Sequence, residues 1–499
     1  SPFWINDRLR PWNSPPGQPR RAAVSAFGFG GTNAHLLLKE PPADVPLQSE
    51  NREPQLITLS ARDADELHDL ANRMSRYLQQ NPLTQLGDIA YTLQQRSQKG
   101  QVRWAKVAAT TSQLQIALDE LSTTKQLAPA PNEQLPRVAF VFANEEEWDS
   151  DFASDLIARS NNYRQTCESA EQLAAAHGTF NEAEIALFAN QFATAEMLRQ
   201  LGIAPDVICG YGTGDYAAAC ISGAITFSDA VDLLRHRTTL LKSLNLRTIH
   251  VRVAAKSDSL ERALAAHVSQ YSIAAVIAAE ELIISVQQDH LDEIRAALTD
   301  ARIDYRITTI NKPHHSQFVG PATETMNRFH ETMPAEPAWI TCCHTPNGAW
   351  AGWGNHWQSP IRLDQGLAML RQKSPNLIIQ IGPNSRLEER LHSELPESQC
   401  YRVLETGGQN WEKILQILGK LYECGLNPTW APRRSNSERK LDLPTRSFRR
   451  QSFWVTPNPP QINSSMPLVR APSMRLRHPL LDECLGEGVA SENGQAAAR

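Results

Sequence analysis

A glycine-rich stretch in the middle of the chain has the spacing of a site for nucleophilic chemistry. A short apolar run at residues 207–209 leads into residues 210–214, Gly-Tyr-Gly-Thr-Gly, and a small-residue segment follows that Gly223 can close as a helix. This order predicts a nucleophile elbow, in which the side chain at the tip of a strand-to-helix turn faces the substrate and helix amides hold an oxyanion. The tip is Gly212, where the pattern Gly-x-Ser-x-Gly has its serine. The frame of the elbow is therefore present, and its hydroxyl is absent.

The segments around this turn predict an α/β domain with a smaller inserted body. Residues 138–142 form a continuous apolar run typical of a buried parallel strand, and an amphipathic helix over residues 185–198 stops at Gly202. Residues 248–310 predict the order βαββαβ, with a helix after Ser257. A ferredoxin-like insert of this kind predicts a cleft between two bodies, where binding pockets tend to form.

Composition narrows the classes of partner. The 499 residues include 49 Lys and Arg against 54 Asp and Glu, a net charge of −5 that gives no reason to expect a nucleic-acid partner. The eight cysteines form no C-x-x-C pair and no spacing typical of metal ligands. No apolar run is long enough to cross a membrane, and no signal peptide opens the chain. We therefore expect a cytoplasmic chain without membrane or metal, and its start at Ser1 suggests a segment of something larger.

A second glycine-rich stretch lies near the start of the chain. Residues 28–35 read Gly-Phe-Gly-Gly-Thr-Asn-Ala-His and precede the apolar residues 36–38. A phosphate loop and a tight turn feeding a strand are both open, and the turn is favoured because neither Lys-Ser/Thr nor a helix start follows. The stretch resembles the final strands of polyketide or fatty-acid ketosynthases. Their catalytic Cys and two His lie upstream of this tail, so the resemblance assigns no condensation chemistry to the chain.

The next segment, residues 43–134, predicts a small α/β body. Residues 55–59 read as a strand, Ser60 can cap a helix with apolar residues at 67, 70, 74 and 78, and a second helix near residues 89–93 precedes a strand at residues 106–109. The body resembles the linker domain between ketosynthase and acyltransferase in modular polyketide synthases. Its apolar stripe is interpreted as core, and residues 123–134 read as a flexible join.

The remainder resembles the acyltransferase region of type I polyketide synthases. The elbow, the following Asp215-Tyr216-Ala217-Ala218-Ala219-Cys220, the insert, His315-Ser316 and Ile381-Gly382-Pro383 occur in that family's order. The resemblance implies an acyltransferase fold, an α/β-hydrolase-like core with a ferredoxin-like insert, behind a small α/β linker domain. It also implies a linker at residues 444–454 and a dehydratase opening at His478-Pro479-Leu480-Leu481. The implied division is ketosynthase tail 1–42, linker domain 43–134, large subdomain 135–247 and 311–425, small subdomain 248–310, post-acyltransferase linker 426–470, and dehydratase start 471–499.

The resemblance assigns roles to two further residues. In that family a Ser–His pair moves a malonyl-type group from coenzyme A to a carrier-protein thiol through a covalent acyl-enzyme. The base position matches His315, which has nothing to deprotonate opposite Gly212. The carboxylate clamp matches Arg237, which leucines place on the apolar face of a helix begun by Ser228 and Asp229. Such an arginine needs an anion, and a malonyl carboxylate or an acidic neighbour within the protein both remain open.

Other positions depart from the family's pattern. Glu145 matches the glutamine that helps form the oxyanion hole, and a carboxylate there would repel an oxyanion. Tyr211 stands at the histidine before the nucleophile, and Ile277 at an asparagine of the small subdomain. Residues 312–314, Lys-Pro-His, carry neither common extender signature. Together these departures predict decay of the reaction.

Several alternatives remain open for the chemistry. Thr213, one position past the tip, is an alternative nucleophile that would work with His315 and Arg237 in an active transferase for an unusual acyl group. Cys209 is interpreted as core, and Glu145 would have to activate water in a hydrolase. A degenerate product without any partner is a third possibility.

The prediction is a segment of a modular polyketide synthase whose acyltransferase-like domain is an inactive scaffold. Extender units would then reach the module from a separate acyltransferase acting in trans. The expected partners are an acyl carrier protein, the flanking ketosynthase and dehydratase domains, and that trans-acting enzyme. The segment itself is expected to bind no cofactor, whereas the parent module uses phosphopantetheine on the carrier protein and acyl-coenzyme A donors.

Overall fold

The structure, a computed structural model, describes most of the chain between residues 5 and 447. The described residues are 5–15, 18–40, 53–96, 100–124, 135–144, 149, 151–176, 182–308, 313, 315–331, 341–342, 353–405, 407–430 and 439–447. They all fall in the first of two compact units, Ser1–Ser447. The expected dehydratase opening at residues 478–481 and most of the join at residues 123–134 lie outside the described residues.

The N-terminal glycines form the turn of a β-hairpin. Strands β1 (Arg21–Phe27) and β2 (Asn33–Lys39) pair antiparallel. The Gly28 N–H donates to the Thr32 carbonyl at 2.7 Å, and Gly31 has a φ of +87°, a conformation open to glycine. A strand follows the turn where a phosphate loop would feed a helix. The structure therefore confirms the tight turn.

The next body is a two-stranded sheet covered by three helices. Its elements are β3 (Gln55–Ala61), α1 (Ala64–Gln80), α2 (Leu86–Gln94), β4 (Val102–Ala108) and α3 (Thr111–Thr123). The expectation that Ser60 caps α1 is wrong, because β3 continues to Ala61 in its ladder with β4 and Ser60 pairs with Arg103. Asp63 is the cap instead, its side chain accepting from the Glu66 N–H at 3.0 Å.

The first elements of the larger body include the strand and the helix that form the elbow. Its first elements are β5 (Val138–Phe142), α4 (Ser154–Arg159), α5 (Asn161–Ala175), α6 (Glu182–Gln200), β6 (Val207–Gly210), α7 (Gly214–Ile221) and α8 (Phe227–Ser243). Gly202, with φ of +88°, follows α6 as expected. Helix α8 is capped by Thr226, which forms a capping box with Asp229, and it begins at Phe227, one residue before the expected start at Ser228.

The inserted body has the predicted βαββαβ order. It comprises β7 (Thr248–Val253), α9 (Ser257–Ala263), β8 (Tyr271–Ala278), β9 (Glu281–Gln287), α10 (Leu291–Asp300) and β10 (Tyr305–Ile307), with 3₁₀ turns at Ala265–His267 and Gln288–His290. The strands pair in the order β10-β7-β9-β8. One face of this sheet packs on its own two helices, around side chains such as Val251, Ile284 and Leu298.

The chain then returns to the larger body. The remaining elements are a 3₁₀ turn at Gln317–Val319, α11 (Gly320–Glu331), β11 (Thr341–Cys342), α12 (Trp353–Gln358), β12 (Ile361–Arg362), α13 (Leu363–Lys373), β13 (Leu377–Ile381), α14 (Ser385–Glu394), β14 (Gln399–Val403) and α15 (Asn410–Glu423). The main sheet is parallel, in the order β11-β6-β5-β13-β14. Strand β12 belongs to the part of the chain that has returned to the larger body, but it pairs with β8 of the inserted sheet. This pairing connects the two bodies.

The main sheet separates two cores. One lies against helices that include α5, α6 and α8, and its buried residues include Phe140, Phe188 and Leu233. The other lies between the main sheet and the inserted sheet and includes Val141, Cys209 and Ala275. Cys209 is fully buried, in agreement with its interpretation as core. The end of β6, and with it the elbow, therefore lies where the two bodies meet.

The segment after the larger body runs back over the linker body. The Arg439 N–H donates to Asp88 Oδ1 at 2.7 Å, and the Leu441 N–H donates to Thr92 Oγ1 at 2.9 Å. Leu443 is buried in the same core as α1 and α2. Residues 439–447 thus fasten the far end of the described chain to the body that precedes the larger one.

Among the described residues, no helix combines the length and the apolarity that crossing a bilayer requires.

Candidate active site

The turn after β6 has the geometry of a nucleophile elbow without the nucleophile. Gly212 adopts a φ of +63°, and the Asp215 N–H donates to its carbonyl at 3.0 Å as α7 begins. The glycines on either side allow close approach of neighbouring atoms. A Cβ on Gly210 would lie 2.3 Å from Asp215 Oδ1, and one on Gly214 would lie 2.3 Å from the Phe142 carbonyl oxygen. The turn is thus built tightly, with no side chain at its tip.

Space for a side chain at the tip is limited but present. A Cβ on Gly212 would meet Asn144 Cβ at 3.1 Å and Ile361 Cδ1 at 3.9 Å. Asn144 is itself fixed, because its Oδ1 accepts from Asn384 Nδ2 at 2.6 Å and both residues are buried. A small side chain at position 212 would require a shift of a few tenths of an ångström and would sit on a backbone with a φ of +63°, which L side chains rarely adopt.

Thr213 occupies the N-cap position of α7, one residue after the tip. Its side chain is 2% exposed and makes no capping hydrogen bond to the first turn of α7. The Tyr216 N–H donates to the Thr213 carbonyl at 3.2 Å. Thr213 is therefore a buried hydroxyl on the first turn of the helix, one residue past the point at which the elbow presents a side chain.

His315 is held rigidly on an unusual backbone. Its φ is +56°, its N–H donates to the Trp357 carbonyl at 2.7 Å, and it is 2% exposed. Ring atom Nδ1 lies 3.1 Å from the Ser359 carbonyl oxygen. A carbonyl can only accept, so Nδ1 carries the proton and Nε2 is the basic nitrogen in the neutral ring. This tautomer suits a general base.

The surroundings make that base a weak one. Burial, followed by the electrostatic influence of the neighbouring His356 ring, lowers the pKa of His315 to about 3. Arg237 acts in the same direction, whereas Asp215 and the hydrogen bond to Ser359 act against it. A general base is most effective with a pKa near the working pH. His315 is therefore neutral at pH 7 but has little affinity for a proton.

The lowered pKa of His315 predicts a loss of stability in acid. Because the pKa is about 3 in the folded chain against 6.5 unfolded, the unfolded chain binds the proton first, and stability falls as pH drops below 6.5. Between pH 7 and pH 5 we expect the wild type to lose about 2 kcal/mol more than His315→Asn. Asparagine does not titrate and tolerates a positive φ. Urea unfolding at both pH values tests this, and equal losses would contradict it.

A chain of aromatic contacts connects His315 with α7. The His315 and His356 rings lie 5.3 Å apart, His356 lies 5.4 Å from Trp353, and Trp353 stacks on Tyr216 at 4.4 Å, all between ring centroids. His356 Nε2 also lies 3.0 Å from Asp215 Oδ2, and that carboxylate is fully buried. The Asp215–His356 pair thus fixes α12 against the start of α7.

Arg237 lies at the far end of this series of contacts and forms a buried ion pair. Its guanidinium lies over the Tyr216 ring at 5.0 Å from the centroid, with Nη1 3.5 Å from the Tyr216 hydroxyl. Nη2 donates to Glu184 Oε2 at 2.7 Å, and both charged side chains are 2% exposed. Of the two anions left open by the sequence, the acidic neighbour is present in the structure. A ligand carboxylate at Arg237 would have to compete with Glu184.

A cavity of about 430 Å³ opens where the two bodies meet, as the predicted cleft requires. Tyr211 lines it from the elbow and Ile277 from the inserted sheet. Its other lining residues are mostly polar or charged: Arg252, Glu281, Arg306, Leu363, Asn384, Arg386, Leu387, Glu389, Arg390 and Ser393. Glu281 pairs with both Arg252 and Arg390, so part of the positive charge that lines the cavity is compensated.

The structure places most of the predicted site residues in one region. Gly212 and Thr213 form the elbow, and His315 and Arg237 lie at the two ends of the contact chain that passes α7. Glu145 lies outside the described residues, as do positions 312 and 314 of the segment before His315. Within the described residues there is no group of three or more His, Cys, Asp or Glu that could hold a metal.

The sequence analysis did not identify Glu184 and His356. Glu184 had a detectable signal, because Leu187 and Phe188 follow it at helical spacing and place a carboxylate on the buried face of α6. His356 stands between two buried tryptophans in the sequence Trp-Gly-Asn-His-Trp. Its partner Asp215 belongs to the elbow motif, but no short sequence pattern connects Asp215 with His356, which is 141 residues away.

Two family descriptions match this chain. Residues 2–103 match the ketoacyl-synthetase C-terminal extension, and residues 178–410 match the acyl transferase domain. The second match contains the elbow, Glu184, Arg237 and His315. The first match spans the hairpin and the linker body as far as the start of β4, and the second spans the site.

Curated proteins that are similar to this chain include polyketide synthases. The chain is 26% identical to a phenolphthiocerol/phthiocerol polyketide synthase of Mycobacterium tuberculosis, over 92% of the chain and 34% of that protein. It is 25% identical to the non-reducing polyketide synthase nscA of Trichophyton rubrum, over 89% of the chain and 27% of that protein. The chain thus spans about a third or less of these relatives' length.

Two solved structures with a similar fold are acyltransferase domains. The acyl transferase domain of ZmaA is 21% identical with a TM-score of 0.66, covering 80% of this chain and 100% of that one. The acyl transferase domain of SpnD, solved in complex with 2-(pent-4-yn-1-yl)malonyl, is 22% identical with a TM-score of 0.63, covering 76% and 98%. The fold is that of these domains.

Proposed function

Because the chain combines a ketosynthase C-terminal extension with an acyltransferase domain of the type I polyketide synthase kind, we propose that the domain is an inactive acyltransferase that serves as a scaffold. The observation that carries the proposal is Gly212 at the tip of the elbow, with a φ of +63° and no side chain to acylate. In triad enzymes, loss of the essential nucleophile removes about six orders of magnitude in rate.

The rest of the site supports this proposal. The weakly basic His315 is a poor partner for any hydroxyl at the position of the missing serine. Arg237, assigned by resemblance to the carboxylate clamp, is occupied by Glu184 at 2.7 Å. Thr213 remains the alternative nucleophile, in an active transferase from acyl-coenzyme A to a carrier protein. Its position past the tip and its burial disfavour that alternative.

The scaffold role rests on how the bodies are fastened together. Helix α15 packs on β4 of the linker body, where the Ala105 N–H donates to Glu423 Oε1 at 3.1 Å. Residues 439–447 then return over the same body. The domain would in this way set the spacing between a preceding ketosynthase and a following dehydratase, in the cytoplasm. We propose that extender units are loaded onto the module's phosphopantetheine-bearing carrier protein by a separate, trans-acting acyltransferase.

Intact-mass spectrometry tests the loss of activity. The chain is incubated with malonyl-coenzyme A and other acyl-coenzyme A donors, beside an active acyltransferase as positive control. We expect no acyl adduct on the chain, because the elbow has no hydroxyl at its tip, and a full adduct on the control. A stoichiometric adduct that maps to Thr213 would overturn the proposal and support the active transferase; Thr213→Val should then abolish that adduct.

A further inference from the structure

The ion pair between Glu184 and Arg237 lies beside α7, the helix that begins at the elbow, in the region taken here as the candidate acyl site. We infer that Glu184 closes this site to acyl groups that carry a carboxylate, and that the site holds uncharged acyl groups instead. The inference rests on the proposed function, because it takes the region around the elbow as the acyl site. It names the class of acyl group that this region accepts and the residue that determines it.

The first step is the state of the charges. Glu184 on α6 and Arg237 on α8 are each 2% exposed and lie 2.7 Å apart. A buried arginine needs an anion because an unpaired charge in the interior is costly. Glu184 provides that anion from within the protein. The pair leaves this part of the interior without net charge from these two residues.

The second step is the position of the pair. Arg237 lies against Tyr216 of α7, the helix that starts at the elbow. Its positive charge is near enough to lower the pKa of His315. A cation so placed would attract the carboxylate of an acyl group bound at the elbow, and a planar guanidinium suits a carboxylate in particular.

The third step is the competition. A ligand carboxylate that reached Arg237 would have to displace Glu184, which would then be a buried anion without its present partner. A ligand carboxylate that did not displace Glu184 would be buried beside a second negative charge. An uncharged acyl group meets neither difficulty. Glu184 therefore disfavours acyl groups with a carboxylate in two ways: it repels their negative charge, and it already pairs with Arg237.

Calorimetric titration of the whole chain with malonyl-coenzyme A and acetyl-coenzyme A measures this preference without needing a nucleophile. For the wild type we expect the Kd of malonyl-coenzyme A to be no lower than that of acetyl-coenzyme A. For Glu184→Gln we expect the ratio of the two affinities to shift at least tenfold toward malonyl-coenzyme A. Glu184→Asp, which keeps the charge, should keep the preference of the wild type.

A further variant separates this effect from a general loosening of the site. In Glu184→Gln/Arg237→Gln no cation remains at this position, so the gain for malonyl-coenzyme A should disappear. Circular dichroism checks that each variant is folded. If a variant does not fold, the ratio of the two donors' affinities measured on the wild type still tests the inference. Tighter binding of malonyl-coenzyme A by the wild type would overturn the inference, as would an unchanged ratio in folded Glu184→Gln or no binding of either donor. These outcomes are distinct from an acyl adduct, which would overturn the proposed function.

Discussion

Replacing Glu184 by alanine while Arg237 stays in place is expected to lower the free energy of unfolding by about 3–5 kcal/mol. The carboxylate and the guanidinium are both 2% exposed and 2.7 Å apart, so removal of one leaves the other as a buried charge without this partner. The loss is large against a typical total stability of about 5–15 kcal/mol. Urea unfolding followed by circular dichroism measures it directly.

Two controls distinguish the buried pair from an ordinary ion pair. In Glu184→Leu/Arg237→Met both charges are gone, and we expect the free energy of unfolding to return to within about 2 kcal/mol of the wild type. The pair of Glu324 and Arg328 is exposed, at 82% and 68% for the two side chains, so Glu324→Ala should change stability by less than about 0.5 kcal/mol. A Glu184→Ala variant as stable as Glu324→Ala would show that the pair is not buried in solution.

The elbow and the insert were predictable because their signals are local. The glycines at positions 210, 212 and 214 follow one another in a single short turn, and one of their close contacts, that of Gly210 with Asp215, is itself local. The βαββαβ order followed from alternating apolar runs between turn residues. The cap at Ser60 was predicted wrongly because Ser60 pairs in the ladder of β3 with β4, which its residue type does not reveal. The start of α8 was predicted one residue late, because Thr226 caps the helix ahead of Ser228. The division into domains stays a prediction.

The electrostatics of the site were not predictable in the same way. Glu184 and Arg237 are 53 residues apart on two helices, and Asp215 and His356 are 141 residues apart. Only the packing of α6, α8 and α12 around α7 brings these groups together. The sequence could state that Arg237 needs an anion, but it could not choose between a ligand and a protein carboxylate. That choice determines which acyl groups the site tolerates.

Restoring the nucleophile by Gly212→Ser is expected to leave acylation by malonyl-coenzyme A about a thousandfold or more below that of an active acyltransferase. A serine Cβ meets Asn144 Cβ at 3.1 Å, a contact that a small shift relieves, and a strained backbone is usual at the tip of such an elbow. The hydroxyl would still face a base whose pKa is about 3. Loss of one oxyanion donor alone costs about 10²–10³ in rate, and the resemblance assigns that donor position to Glu145. Quenched-flow acylation followed by intact mass measures the rate.

Matched variants show which defect limits the restored site. Gly212→Ala adds the same Cβ without a hydroxyl, so it reports the effect on folding and should give no adduct. Adding Glu145→Gln to Gly212→Ser should raise the rate by about 10²–10³ if an amide there donates to the oxyanion. Acetyl-coenzyme A as the donor removes the conflict with Glu184, so a rate for Gly212→Ser that is higher with acetyl than with malonyl would trace part of the defect to the buried pair. Full activity of Gly212→Ser toward malonyl-coenzyme A would mean that only the hydroxyl had been lost, and that neither His315 nor Glu184 limits the reaction.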